Sequence, residues 1–192
     1  MTRGTGAPRV RIEEWTADDI DLLHRLNTPV MTEHLGGPET EAQVAARHAR
    51  YLALDGTGQM FRVVLAADGT EPAAETGTGA ADGDSAGRAG ETVVGSVGYW
   101  ELTWRGERAY ETGWGVLPEF QGRGIAAAAA REVIAVARAE GRHRALYAFP
   151  SVAHAASNAV CRKAGFGFQE ECEIEYPKGR RMRANNWRVE LG

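Results

Sequence analysis

The residues with the clearest chemical reading lie in one turn, Gln121-Gly122-Arg123-Gly124-Ile125-Ala126. It follows a strand-like run, Tyr110 to Val116, and the breaker Leu117-Pro118, and it opens an alanine-rich helix. Gly122 and Gly124 let the backbone come close to a ligand, and the first-turn amides of a helix have no partner inside it. Such amides, aligned with the helix dipole, attract a phosphate or pyrophosphate, and Arg123 adds positive charge beside them. The same six residues also read as a plain reversal of the chain, because short glycine motifs between strand and helix often do nothing else. No Walker lysine-hydroxyl pair and no ribose-binding acid follows the turn, which removes support for a nucleotide as the anion.

A turn of this kind needs a sheet and a helix to hold it, and the chain has the length for both. Its 192 residues, 43% hydrophobic and 25% charged, suffice for a single domain over 1–192 with a sizeable core. A net charge of −4 with dispersed basic residues argues against general nucleic-acid binding. The two cysteines, Cys161 and Cys172, lack metal-ligand spacing, so the reading is reduced thiols in a cytoplasmic protein with no metal. The first eleven residues carry no apolar export segment, and the longest purely apolar run, Ile125 to Ala130, is too short to span a bilayer.

Taken in order, Val10 to Trp15 reads as a first strand. Thr16 with Asp19 forms a capping-box-like start for a helix through about Asn27, with Leu22, Leu23 and Leu26 on its apolar face. Pro29 is expected to break that helix, leaving Met31 to Pro38 as a loop before a second helix from Glu39 to about Leu54. His24, His48 and His143 are read as packed or hydrated. Met60 to Ala66 is a strand. Asp68 to Gly90 has no aromatic or branched aliphatic residue, so it is expected to be a flexible loop inserted at a hairpin. Thr92 to Leu102 and Glu107 to Val116 continue as strands, giving a three-strand antiparallel meander. The helix from about Gly122 to Glu140 carries an apolar stripe of Ile125, Ala129, Val133, Val136 and Ala137. A short strand (Ala145 to Phe149), a helix (Ala155 to Lys163, closed by Gly165) and a hairpin (Phe168 to Tyr176 with Met182 to Leu191) complete the chain.

This order of elements, with Gln121, Gly124 and Ala126 spaced as Gln/Arg-x-x-Gly-x-Gly/Ala after a strand, resembles the GCN5-related N-acetyltransferase (GNAT) superfamily. Ser157 followed by Arg162-Lys163-Ala164-Gly165-Phe166 looks like the family's second motif. Val10-Arg11-Ile12 and the run Val30 to Gly37 are similar to the branch that contains the ribosomal-protein N-terminal acetyltransferases. The resemblance implies an α+β (α/β) fold, with a mixed, mostly antiparallel sheet of six or seven strands flanked by about four helices. It implies acetyl-CoA as cosubstrate, and a primary amine, on a small molecule or a protein N-terminus, as acceptor in a ternary complex. A monomer or homodimer with no membrane partner is expected.

By position, the resemblance assigns Gly115, Val116 and Leu117 to the pantetheine arm, which would pair with them like an added strand. Arg123, Gly124, Ile125, Ala126, Ala127 and Ala128, with Gln121 and Gly122, would surround the pyrophosphate. Ser157 and Asn158 would approach the cofactor or cap their helix. His154 stands where the family often has Asn, and would donate to the cofactor arm or a water. Glu111, five residues before Val116, is the candidate general base, and the amide of Val116 or a neighbour would hold the thioester carbonyl. Cys161 stands where many members have a Tyr that protonates the departing thiolate, and reads either as that acid or as packing. The implied acceptor groove runs between Thr28 to Pro38 and Tyr176 to Trp187, with Glu33, His34, Trp100, Trp104, Trp114 and Trp187 as walls. Arg180, Arg181 and Arg183 would favour an acidic partner there. A non-catalytic acyl-CoA-binding or regulatory module is the alternative.

Overall fold

Side chains alternate across each strand, so one sheet presents two faces, and two different groups of helices cover them. The computed structural model describes residues 9–66 and 91–192; the insertion expected over 68–90 lies outside the described residues. Seven strands, β1 (Val10–Glu14), β2 (Gly58–Leu65), β3 (Thr92–Trp104), β4 (Glu107–Val116), β5 (Ala145–Ala148), β6 (Gly167–Glu175) and β7 (Arg181–Glu190), form one sheet in the order β1-β2-β3-β4-β5-β7-β6. Every adjacent pair is antiparallel except β4 with β5. The α-helices are α1 (Ile20–Leu26), α2 (Pro29–Thr32), α3 (Glu41–Leu52), α4 (Ile125–Glu140) and α5 (Ala155–Ala164). The mixed, mostly antiparallel sheet is as expected. Among the described residues five helices stand where about four were expected; the three-strand meander β2-β3-β4 is as expected, and β1 adds an antiparallel strand at its edge.

The fifth helix comes from Pro29. As the first residue of α2 it gives up an N–H that no helix would use there, and Thr28 caps the turn by accepting from the Met31 amide at 3.4 Å. A 3-10 turn, Glu33–Leu35, follows and ends on Gly36, whose φ of +101° is left-handed. Residues 31–38 are therefore built structure rather than plain loop. The expected capping box at Thr16 is present, with the Thr16 amide donating to Asp19 Oδ2 at 2.7 Å.

One sheet face packs on α4 and α5 through Val94, Val97, Leu146, Val133, Ile134, Ala137 and Cys161. Tyr99 and Tyr110 reach from that face to the C-terminal end of α4, donating to Glu140 Oε2 at 2.9 and 2.7 Å. The opposite face carries α1 and α3 through Leu22, Leu23, Leu26 and Val44, packed against Met60 and Leu117. His48 sits here as a packed residue, its Nδ1 accepting from Trp15 Nε1 at 3.1 Å. The helix carrying the glycine turn and the helices bordering the implied groove thus lie on opposite sides of β4.

Candidate active site

The sheet opens at β4. On its β3 side this strand is paired to its end, with Val116 opposite Gly95, but on its β5 side pairing is confined to Tyr110 with Leu146 and Glu111 with Tyr147. Beyond Glu111 the edge of β4 is unpaired with β5 as far as Val116, whose carbonyl is taken by the Gln121 side chain, while Leu117 N–H donates back to Val94 O at 2.9 Å. An extended amide-containing chain can pair with such an edge.

At the far end of that edge stands the helix mouth. Gly122 and Gly124 have φ of +75° and +81°, and a Cβ built on either would meet nothing within 4 Å. The helix begins at Ile125, later than the expected Gly122, and Ala128 N–H to Gly124 O at 3.0 Å is a closing bond of its first turn. The amides of Ile125, Ala126 and Ala127 precede it and face the mouth. Gln121 and Arg123 behave differently from the other motif residues. Gln121 Nε2 donates to Val116 O at 2.9 Å and to Met31 Sδ at 3.2 Å, which ties the turn to the end of β4. Arg123 donates to Glu119 O at 3.0 Å with its guanidinium over Phe120, so its charge is held at the rim. Open backbone, free amides and a rim cation fit a diphosphate.

Helix α5 borders the same opening. His154 is its N-cap residue, so Ser157 and Asn158 lie inside the first turn and neither caps it. Ser157 is half-buried. Asn158 is buried and its amide is fully used: Nδ2 donates to Ser151 O and His154 O, both at 2.9 Å, while Oδ1 accepts from Asn185 at 2.7 Å and Trp187 Nε1 at 2.8 Å. Its side chain locks α5 to β7 and leaves nothing for a ligand. His154 stacks on His34, with ring centroids 4.3 Å apart. Burial pushes the His154 pKa down and His34 adds to this, while Glu33 opposes. Cys161 has no exposed surface, and burial pushes its thiol up to about 12. It is placed as a packing residue between sheet and helix.

Glu111 lies on the α1/α3 face, at the last pair before β4 and β5 separate. Trp100, its partner on β3, donates from Nε1 to Glu111 Oε2 at 3.1 Å. The indole lies across Gly113, where a Cβ would stand 3.0 Å from its Cη2. Burial pushes the Glu111 carboxyl pKa up, partly offset by the Trp100 bond. The carboxylate is thus half-buried beside an indole instead of a cation.

Of the proposed groove walls, Trp100 contacts Glu111, while His34 stacks on His154 with Glu33 near it. Trp187 and Trp114 lie elsewhere: both pack into the α4/α5 core, Trp187 buried with its N–H on Asn158. Trp104 packs against Phe149 instead. Arg181 and Arg183 are paired with Glu173 and Glu171 across the hairpin, which weakens the reading of an acidic partner. Tyr176, the first residue of the expected groove's hairpin side, is joined by Glu39, Arg47 and Tyr51, which the sequence did not single out. Glu39 and Arg47 form an ion pair at 2.7 Å, and the Tyr176 phenol is raised by burial with further electrostatic influence from Tyr51, Arg47, Glu39 and Glu111. Their only sequence signal was Tyr176 beside the turn at Pro177. Among the described residues there is no group of three or more His, Cys, Asp or Glu that could hold a metal, and no helix is long and apolar enough to cross a membrane.

Residues 9–167 match the family model described as acetyltransferase (GNAT) domain. No curated protein matches the sequence. Solved structures with a similar fold include the spermidine N-acetyltransferase from Vibrio cholerae in complex with CoA and spermine, with TM-score 0.69, 15% identity, and coverage of 95% of this chain and 96% of that one. Another is the acetyl transferase from Salmonella typhimurium that modifies the N-terminal serine of 50S ribosomal subunit protein L7/L12, with TM-score 0.70, 15% identity, and 98% of both chains covered. A third is an aminoglycoside acetyltransferase in complex with coenzyme A, with TM-score 0.68, 15% identity, and 94% of both chains covered. At these identities the likeness is one of fold.

Proposed function

Because the chain belongs to the GNAT acetyltransferase family, we propose that it moves an acetyl group from acetyl-CoA to a primary amine by direct attack in a ternary complex. The observation that carries this reading is the end of β4–β5 pairing at Glu111. One short segment thereby supplies a half-buried carboxylate, then an unpaired backbone edge, then an open helix mouth.

The unpaired edge from Thr112 to Val116, with Leu117 beyond it, would take the amide-bearing arm of coenzyme A. The amides of Ile125, Ala126 and Ala127, with the small side chains of Ala126 and Ala128, would hold the diphosphate. Glu111 accepts a proton from the acceptor amine, directly or through a water, as the nitrogen attacks the thioester carbon. The C–N bond forms, the C–S bond breaks, and the thiolate leaves. A backbone amide at Val116 or its neighbour would hold the carbonyl oxygen as negative charge builds on it. Cys161 takes no part: a thiol raised to about 12 and without exposed surface is a poor proton donor to a ligand in the opening. An ordinary thiol pKa of about 8.5 lets the thiolate depart as an anion and take its proton from water.

Free CoA released from acetyl-CoA with a panel of primary amines tests the reading. Glu111→Gln should lose turnover and keep acetyl-CoA binding. The burial of Cys161 is what favours the second reading, an acyl-CoA-binding module without chemistry. Calorimetric binding of acetyl-CoA with no CoA release from any amine would select it.

A further inference from the structure

Trp100, Glu111 and Gly113 form one unit across β3 and β4. Trp100 and Glu111 are register partners, and Gly98 and Gly113 are partners two residues along the same ladder. Side chains alternate along a strand, so positions 111 and 113 share a face of the sheet. Glycine at 113 is what lets the indole lie across β4: a Cβ there would stand 3.0 Å from Trp100 Cη2 and 3.9 Å from Cζ2 and Cζ3. With its benzo ring over Gly113, the indole turns Nε1 toward Glu111 and donates to Oε2 at 3.1 Å. Thr112, between the two, donates from Oγ1 to Gly98 O at 2.7 Å and braces the strand pair at this point.

Among the described residues the indole N–H is the hydrogen-bond donor to this carboxylate. Tyr147, the partner of Glu111 on β5, spends its hydroxyl on Glu107 at 2.9 Å. Tyr176 is a phenol raised by burial, with the charge of Glu111 among the influences that raise it further. Glu39 and Arg47, which also reach Tyr176, pair with each other at 2.7 Å. The Glu111 pKa is raised by burial and lowered by the Trp100 bond. A neutral donor suits a base. A guanidinium in its place would favour the ionised carboxylate strongly enough to cost it basicity, whereas an indole holds one oxygen and leaves the other with its lone pairs.

We infer that Trp100 is a positioning residue for the base: its indole N–H, seated by Gly113, fixes Oε2 of Glu111 so that Oε1 receives the proton of the attacking amine or of an intervening water. This rests on the N-acetyltransferase reading above, with Glu111 as base. A carboxylate free to turn about its side-chain bonds is often out of line with the proton it must take, and a misplacement of about 1 Å lowers turnover by about 10²-fold. Loss of a single neutral hydrogen bond, with the ring still in place, should cost about 10-fold.

The test measures kcat, KM and the pH dependence of kcat/KM by CoA release from acetyl-CoA, with n-butylamine, spermidine and the peptide Ser-Ala-Ala as acceptors, in the wild-type protein, in Trp100→Phe and in Gly113→Ala. Phenylalanine keeps a ring over Gly113 and lacks the N–H; alanine at 113 keeps the N–H and pushes aside the ring that carries it. Trp100→Phe should lower kcat about 10-fold and leave the KM for acetyl-CoA unchanged. Its acid limb, compared with the wild type on the same amine, should move to higher pH, because the bond it removes favours the ionised carboxylate. Gly113→Ala should shift kcat and the acid limb in the same directions by less. Two variants are used so that misfolding of one leaves the other decisive. A kcat within about 2-fold of wild type in each folded variant, or a lowered kcat with the acid limb unmoved, overturns the positioning role, and loss of turnover in Glu111→Gln would still leave the base standing. Acetyl-CoA binding by the wild type without CoA release from any amine overturns the transferase reading and the positioning role with it.

Discussion

The two ends of the site are made of different material. The cofactor end is backbone: the free edge of β4 after Glu111 and the first-turn amides of α4, opened by Gly122 and Gly124. The acceptor end is side chains drawn from four separate stretches: Trp100 from β3, Glu111 from β4, Glu39 and Arg47 from α3 and its approach, and Tyr176 at the last hairpin. Backbone sites tolerate most changes of side chain and fail when the chain path changes. Side-chain sites fail one residue at a time. The two ends are therefore expected to respond to different substitutions, and a variant that damages both equally would break the distinction.

The largest expected effect belongs to Glu111→Gln. Loss of a general base lowers kcat by about 10²- to 10⁴-fold, and calorimetry should show an unchanged acetyl-CoA Kd because the carboxylate lies outside the backbone cradle. Glu111 must be ionised to act, and burial raises its pKa. The acid limb of the wild-type pH-rate profile should accordingly lie above the ordinary carboxylate range and vanish from the residual activity of the variant.

Asn158→Ala is next, and it sharpens the comparison by its failure to touch binding. The substitution strands the indole N–H of Trp187, the Asn185 amide and two backbone carbonyls. A cost of about 2–4 kcal/mol is expected from urea unfolding, since buried groups left without partners lose more than the bonds themselves. The fraction that remains folded should bind acetyl-CoA as wild type does.

Gly124→Asp addresses the cofactor end alone. Aspartate adopts the left-handed conformation more readily than most residues, so the turn should survive, but its carboxylate would occupy the amides meant for a diphosphate. Acetyl-CoA affinity should fall about 10- to 100-fold, a loss of about 1.4–2.8 kcal/mol. The loss should shrink with added salt as the charge is screened.

The same division explains what could be read from the sequence. A backbone site announces itself locally: Gln121, Gly122, Gly124 and Ala126 are close in the chain, and their spacing after a strand is what sets them apart from a plain chain reversal. Strand and helix periodicity around them was equally local, and β4 was placed at its observed bounds. The acceptor end has no such signature. Whether Trp100 or Trp187 lines it depends on which face of a strand each side chain occupies, and that is set by register across the sheet; Trp187 went to the α4/α5 core and Trp100 to the other face. Tyr176 comes within electrostatic reach of the Glu39–Arg47 pair only after the closing hairpin folds back against Gly36. The side chain of Asn158 is satisfied by two local carbonyls and by two donors on β7, and that second pair could not be seen in the sequence. Pro29 was read as a stop where it is a start, since both uses exploit its missing N–H.

The smallest expected effect concerns stability and separates the two ends thermodynamically. The cofactor end holds no buried charge, whereas Glu111 is a carboxyl whose folded pKa is raised above its ordinary 4.5 by burial. A raised carboxyl pKa means that the folded state is at no disadvantage while the group is protonated, below the ordinary value, and loses stability as pH rises through the folded pKa and the buried carboxylate ionises. Glutamine keeps an oxygen to accept from Trp100 Nε1 and never ionises. Glu111→Gln should therefore melt at a higher temperature than wild type at pH 8, and the difference should close as pH falls below the ordinary carboxylate range, where both side chains become neutral. A Gln variant less stable than wild type at pH 8 would mean that the carboxylate is held by cationic partners and is not poised for proton transfer; the acceptor end would then be as inert as the cofactor end, and the contrast between them would disappear.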